Sequence, residues 1–143
     1  MKVKDILAEK GSAVRTIGPD ETVREAIRAL VEHRIGSLLV TEGRRIVGII
    51  TERDILREAC HHAGRLDERR VREAMTGDLI VGVPEDEVNY VMGIMTKNRI
   101  RHLPILEGRE LRGMVSIGDV VWASLTEAEF ENRNLKEYIT GTY

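Results

Sequence analysis

Apolar and polar residues alternate with two different periods along this chain, and the order in which the periods change occurs twice. Val23, Ala26, Ile27, Leu30 and Val31 recur at i, i+3, i+4, i+7 and i+8, the apolar stripe of a helix. Residues 37–41 and 46–50 are short aliphatic and β-branched runs, read as strands joined by the turn Glu42-Gly43-Arg44. A second helix is expected from about Glu52 to His62, ending near Gly64. Ahead of the first stripe, residues 3–10 read as a lead helix broken by Gly11-Ser12. Residues 13–17 read as a strand and Gly18-Pro19-Asp20 as a turn, with Thr22 or Asp20 available to cap the helix.

A charged connector, residues 65–72, follows, and then the same order begins again. Residues 71–75 match the lead segment, 79–81 a strand and Pro84-Glu85-Asp86 a turn. Val88, Val91, Met92 and Met95 form the helical stripe. Residues 102–106 and 111–115 are strands around the turn Glu107-Gly108-Arg109, and a helix runs from Ile117 to about Leu125. Pro19/Pro84, Val23/Val88, Arg34/Arg99, Ile35/Ile100, Leu38/Leu103, Gly43/Gly108, Gly48/Gly113 and Asp54/Asp119 all stand 65 residues apart, with no gap. An internal repeat redefines the fold to be expected. The predicted class is α+β: two tandem β-α-β-β-α repeats, residues 1–64 and 65–125, with a polar helical tail over 126–143. Thr126 would cap that tail, and Phe130, Leu135, Tyr138 and Ile139 would dock it.

The chemistry of the repeat concentrates in Gly48-Ile-Ile-Thr-Glu-Arg-Asp54 and its copy Gly113-Met-Val-Ser-Ile-Gly-Asp119. Ser/Thr-x-x-Asp is a helix-start signal, with Thr51 or Ser116 at the N-cap and Asp54 or Asp119 as the returning carboxylate of a capping box. The same position suits a ligand, because an acceptor-only carboxylate can take both hydroxyls of a ribose. A helix N-terminus also favours its charge and offers N–H groups to phosphate. Both readings stand at this level.

Composition narrows the setting. With 42% apolar and 32% charged residues the chain reads as soluble and globular. No apolar run approaches the roughly 20 residues that span a bilayer, and no signal peptide is expected. Cys60 is the one cysteine, which fits a reducing cytoplasm. A net charge of −2 and few aromatic residues argue against nucleic acid as the main partner.

The doubled pattern resembles a pair of cystathionine-beta-synthase (CBS) domains, a Bateman module, over roughly residues 1–125. It is carried by the two Gly-x-x-Ser/Thr-x-x-Asp motifs, by Ile100-Arg-His-Leu-Pro-Ile105 and by Pro19-Asp20-x-Thr22-Val23. The resemblance implies two halves packed about a pseudo-twofold axis, two related clefts, pairing of modules into a homodimer, and regulation of a protein effector without catalysis. It also implies an adenosyl ligand: AMP foremost, with ATP, NAD or S-adenosylmethionine as the other members of the class. One cleft would combine Asp119, Ser116 and Gly118 with Arg15, Thr16, Gly36 and Ser37. The other would combine Asp54 and Thr51 with Ile80, Val81, Arg101 and His102. The base would lie among Ile17, Leu38, Ile100 and Leu103, with Pro104 on the same strand.

Arg101 can fork two phosphate oxygens, and His102 adds a donor whose charge depends on pH. The first repeat has Gly36-Ser37 in their place and Leu39 where the second has Pro104, so the clefts are unequal. With both phosphate ends expected near the central axis, Arg101 and His102 could serve either ligand, and the Asp119 cleft is expected to be the tighter. Cys60-His61-His62 lacks the converging second cluster that a tetrahedral metal needs, so no metal is expected. The expected function is a stand-alone nucleotide-binding sensor. A ligand-free dimerisation module is the first alternative. Nucleic-acid binding by Arg101, His102 and the 65–72 connector is the second.

Overall fold

A computed structural model describes residues 1–140, with side chains through residue 133. The elements in chain order are α1 (Val3–Lys10), β1 (Thr16–Ile17), α2 (Val23–His33), β2 (Ser37–Glu42), β3 (Arg45–Thr51) and α3 (Glu52–His62). A 3-10 turn (Ala63–Arg65) leads to α4 (Val71–Ala74), α5 (Val88–Asn98), β4 (His102–Glu107), β5 (Glu110–Ser116) and α6 (Ile117–Thr140). The α+β class and the tandem repeat hold.

Local chemistry accounts for the equivalent ends. Thr22 caps α2 by accepting from Glu25 N–H at 3.1 Å. Both α2 and α5 stop at an arginine in the left-handed region, Arg34 (φ 53°) and Arg99 (φ 55°). β2 pairs with β3, and β4 with β5, in antiparallel fashion, each with an irregularity at the same place, Val40/Thr41 and Ile105/Leu106. The hairpins turn at Gly43 and Gly108, whose φ values of 63° and 64° suit glycine.

The chain forms two compact units that do not follow the repeat boundaries 1–64 and 65–125. One unit is Val14–Leu79; the other joins Met1–Ala13 to the chain from Ile80 onward. Each repeat has therefore lent its lead segment to the other's fold. In the second unit Val3 N–H donates to the Asp86 carbonyl and Lys4 N–H to that of Pro84, both at 2.9 Å. In the first unit Val71 N–H donates to Glu21 at 2.8 Å and Arg72 N–H to Pro19 at 2.9 Å, the same acceptor positions one repeat earlier. Val3 and Ile6 are buried with Val88, Val91, Met95, Leu103, Ile105 and Val115. Val71 and Ala74 are buried with Ile17, Val23, Leu38, Val40 and Ile50. Burying a side chain of this size contributes about 1.5–3 kcal/mol, so the lead segments are part of the cores.

The motif glycines make that docking possible. A Cβ on Gly48 would lie 2.6 Å from Met75 Sδ and 2.8 Å from the Thr76 carbonyl oxygen. A Cβ on Gly113 would lie 2.7 Å from a Leu7 methyl. At Gly48 the approach is drawn in by paired bonds, Ile49 N–H to Thr76 O at 2.9 Å and Thr76 N–H to Ile49 O at 2.8 Å.

Three expectations are corrected. The strand expected over residues 13–17 shrinks to Thr16–Ile17. The strand expected over 79–81 does not form; Gly82 instead makes a single parallel bridge to Ile105. A Cβ there would meet Leu103 at 2.9 Å and Ile105 at 3.0 Å, so the close approach falls to the residue without a side chain. The tail does not start a new helix at Thr126: α6 continues through it, and Thr126 Oγ donates to the Trp122 carbonyl at 2.8 Å. No glycine or proline between Asp119 and Thr140 interrupts the helix. Phe130 is exposed; Leu135, Tyr138 and Ile139 lie outside the described side chains.

Gly48→Ala should lower stability by roughly 1–3 kcal/mol, the usual range for overpacking, because one of the atoms it meets is backbone. Urea denaturation of the variant against wild type measures this.

Candidate functional site

Each unit brings the start of its hairpin beside its Ser/Thr-x-x-Asp motif. In the unit holding the lead helix, His102 pairs with Ser116 across β4 and β5, and Ile117 N–H donates to the Arg101 carbonyl at 2.8 Å. In the other, Ser37 pairs with Thr51, Glu52 N–H donates to the Gly36 carbonyl at 3.1 Å, and Leu39 N–H donates to the Arg15 carbonyl at 3.2 Å, beside the Thr16–Leu39 pairing. The predicted residues thus fall into two groups, one per unit.

Both motifs form the capping box that their spacing implies. Asp54 N–H donates to Thr51 Oγ at 3.4 Å, and Thr51 N–H to Asp54 Oδ2 at 2.9 Å. Asp119 N–H donates to Ser116 Oγ at 3.1 Å, and Ser116 N–H to Asp119 Oδ2 at 2.8 Å. Beyond the caps the two carboxylates differ. Asp54 is 3% exposed and engaged at both oxygens. Thr51 Oγ also donates to Oδ2 at 3.1 Å, while Arg57 Nη1 and Thr76 Oγ each donate to Oδ1 at 3.2 Å. Asp119 is 27% exposed, and Lys10 Nζ donates to the same Oδ2 that serves the cap, at 2.6 Å. Among the described residues Oδ1 of Asp119 receives no hydrogen bond.

Partial burial pushes the Asp119 carboxyl up, but hydrogen bonds from Lys10 and Ser116, with the Lys10 charge, outweigh it and hold its pKa below the ordinary value of 3.8. A groove of about 500 Å³ opens beside it between α1 and α6, lined by Ile6, Lys10, Gly118, Asp119, Trp122 and Ala123 among others. Its size falls within the range of small-molecule pockets.

Several predicted base contacts have other duties. Leu38, Leu103 and Ile17 are buried in the cores of their units, so a ligand would meet their backbone or their edges. Ile100 is half-buried, Val81 exposed, and Pro104 is held in β4 with its carbonyl accepting from Gly82. Arg101 is exposed and His102 half-buried.

Sequence reasoning missed Lys10, Arg57 and Thr76. Arg57 was legible, since a cation three residues after an aspartate on a helix lies on the same face. The Lys10 contact spans 109 positions and had no sequence signal. Among the described residues no group of three His, Cys, Asp or Glu could share a metal ion. No described helix is long and apolar enough to cross a membrane.

Two α+β units, each presenting a capped Ser/Thr-x-x-Asp at the end of a hairpin, define a tandem module. The CBS-domain family model matches residues 3–61 and 71–126, and the chain belongs to that family. It is 37% identical to CBS domain-containing protein CBSX3, mitochondrial, of Arabidopsis thaliana, over 99% of this chain and 73% of that one. It is 33% identical to CBS domain-containing protein YhcV of Bacillus subtilis, over 82% and 81%.

The CBS-domain protein ATU1752 from Agrobacterium tumefaciens superposes with a TM-score of 0.84 at 38% identity, covering 87% of this chain and 99% of that one. The CBS domain pair of protein MJ0100, solved with 5′-methylthioadenosine and S-adenosyl-L-methionine, gives 0.74 at 26% identity, over 89% and 98%. The match to inosine-5′-monophosphate dehydrogenase of Korarchaeum cryptofilum takes in 22% of that enzyme, so the likeness is confined to one module of it.

Because the folded pKa of Asp119 is depressed, its stabilising contribution is present in full above the unfolded value and disappears as pH falls through the folded one. Asp119→Asn should therefore lose less stability than wild type on acidification from about pH 5 to pH 2. Thermal melts at matched ionic strength across that interval read the difference.

Proposed function

We propose that this CBS pair binds an adenosyl ligand through Asp119 and passes its occupancy to a protein effector. The observation that carries this reading is the geometry of the Asp119 carboxylate: capped and met by Lys10 through Oδ2, and with Oδ1 unengaged among the described residues. A ribose hydroxyl needs such an acceptor. The adenosyl compounds in the MJ0100 structure support the ligand class.

In this reading Ser116 and Gly118 at the start of α6 act with Asp119 at one motif, and Thr51 acts with Asp54 at the other. Arg101 and His102 favour a phosphate-bearing ligand, AMP foremost, over ATP, NAD or S-adenosylmethionine. The module works as a homodimer in a reducing compartment such as the cytoplasm and has no catalytic role. Its ligand shifts the dimer between states according to its differential affinity for them.

A second reading applies to the first motif. Asp54 is buried with donors on both oxygens, the arrangement of a carboxylate that only caps and cross-links. Ligand entry there would have to displace Arg57 or Thr76, which makes the Asp54 cleft the weaker of the two.

Asp119→Ala should weaken AMP binding by the worth of a charged hydrogen bond, roughly 1.5–3 kcal/mol, or about 10–150-fold. Asp54→Ala should weaken it less while lowering the melting temperature more. Isothermal titration beside thermal shift, across AMP, ATP, NAD and S-adenosylmethionine, tests both statements. Equal binding of every compound by wild type and Asp119→Ala would remove the ribose assignment.

A further inference from the structure

The two motif carboxylates are neutralised from different places. Asp54 takes its cation from its own helix, where Arg57 stands three residues on. The equivalent position on α6 is Trp122, which has no charge to offer. Asp119 takes its cation instead from Lys10, in the last turn of the exchanged lead helix α1.

The Lys10 ammonium is held at two points, 2.6 Å from Asp119 Oδ2 and 2.9 Å from the Met114 carbonyl oxygen. Behind it, Val3 and Ile6 are buried in the core and Leu7 rests on Gly113. The position of the ammonium therefore follows the seating of α1. A charge-assisted bond of this length orients the carboxylate as well as stabilising its charge. Because cap and ammonium share Oδ2, the other oxygen is left as the acceptor a ligand would meet.

Building on the ribose reading above, we propose that Lys10 is the positioning residue of the Asp119 site and ties its affinity for a ribose hydroxyl to the docking of lead helix α1. Binding and helix seating are then linked reciprocally. The other charged groups of the groove are Asp5 and Glu9 on α1 and the Met1 amine, which pairs with Glu127 at 3.0 Å. Without Lys10, Asp119 keeps its burial and loses the cation that offsets it, which disfavours its ionised form.

The test uses the full chain with 5′-AMP as probe, titrated calorimetrically between about pH 3 and pH 8, for wild type, Lys10→Met, Lys10→Arg and Asp119→Asn. The Asp119 carboxyl ¹³C shift is followed over the same range and below it. Comparison at each pH cancels the titration of the phosphate itself. Lys10→Met should bind at least about fivefold more weakly, the lower end of ordinary coupling. Its acid limb of binding and its Asp119 titration should both move to higher pH, and Lys10→Arg should restore both. Added AMP should protect the amides of residues 3–10 from exchange in wild type and not in Lys10→Met.

Unchanged affinity, acid limb and ¹³C titration in Lys10→Met, alongside lost binding in Asp119→Asn, would overturn the role of Lys10 and leave the ribose reading in place. Failure of wild type to bind AMP, or unchanged binding by Asp119→Asn, would remove the ribose reading and the proposal with it. If Lys10→Met melts well below wild type, Lys10→Gln carries the same expectations, since it keeps a donor for Met114 but no charge.

Discussion

The close approach of each exchanged lead segment to a motif glycine is the constraint on which the rest of this structure depends. Residues at the end of each lead segment must reach the middle of β3 or β5. At Gly48 a single added carbon would collide with the Thr76 carbonyl, and at Gly113 with Leu7. Such contact is possible because the interior is packed at crystalline density and a glycine removes the atom in the way. Once the segment is down, its apolar residues join a core otherwise drawn almost wholly from the other repeat. The repeats cannot then be separate folding units in the ordinary sense, although their sequences are tandem.

That exchange also decides the electrostatics of the two motifs. The lead segments end beside the aspartates, and what each delivers differs: Thr76 Oγ reaches Asp54, whereas Lys10 reaches Asp119. Thr76 adds a neutral donor to a carboxylate already served by Arg57, closing a buried cluster in which every oxygen is satisfied. Lys10 adds a charge to a carboxylate with no other cation in contact among the described residues, and does so on an oxygen already in use. The same motif in the same fold is thus closed in one unit and left with an open acceptor in the other. The difference lies in residues outside the motif.

Much of this was legible before any coordinates. The constant spacing of 65 and the change from helical to strand periodicity located almost every element, and α1, α3 and the β2–β3 hairpin fall where the pattern put them. The capping boxes were legible because their bonds are local, three residues apart. The partition into units was not, since tandem order says nothing about which lead segment docks where. The strand expected at 79–81 does not form: three apolar residues look alike whether they pair or only pass by. The sequence sets the two copies apart for a different reason, the presence of Arg101 and His102 in one of them. The contacts that distinguish Asp54 from Asp119 most directly are tertiary and left no periodic trace.

Capping and ligand holding are often set against each other as readings of a Ser/Thr-x-x-Asp pattern. The Asp119 geometry shows why they need not compete. A cap uses one oxygen and fixes the carboxylate relative to the helix, so the second oxygen is presented in a defined direction without further loss of side-chain freedom on binding. Ordering a rotamer-rich side chain at a binding site costs about 0.5–1.5 kcal/mol, and a capped aspartate has met that cost on folding. The helix terminus favours the charge for the same reason that it accepts the cap. A carboxylate held in this way is pre-organised by the fold. Whether it remains available then turns on its neighbours: Arg57 and Thr76 use up the second oxygen of Asp54, and Lys10 leaves that of Asp119 unused.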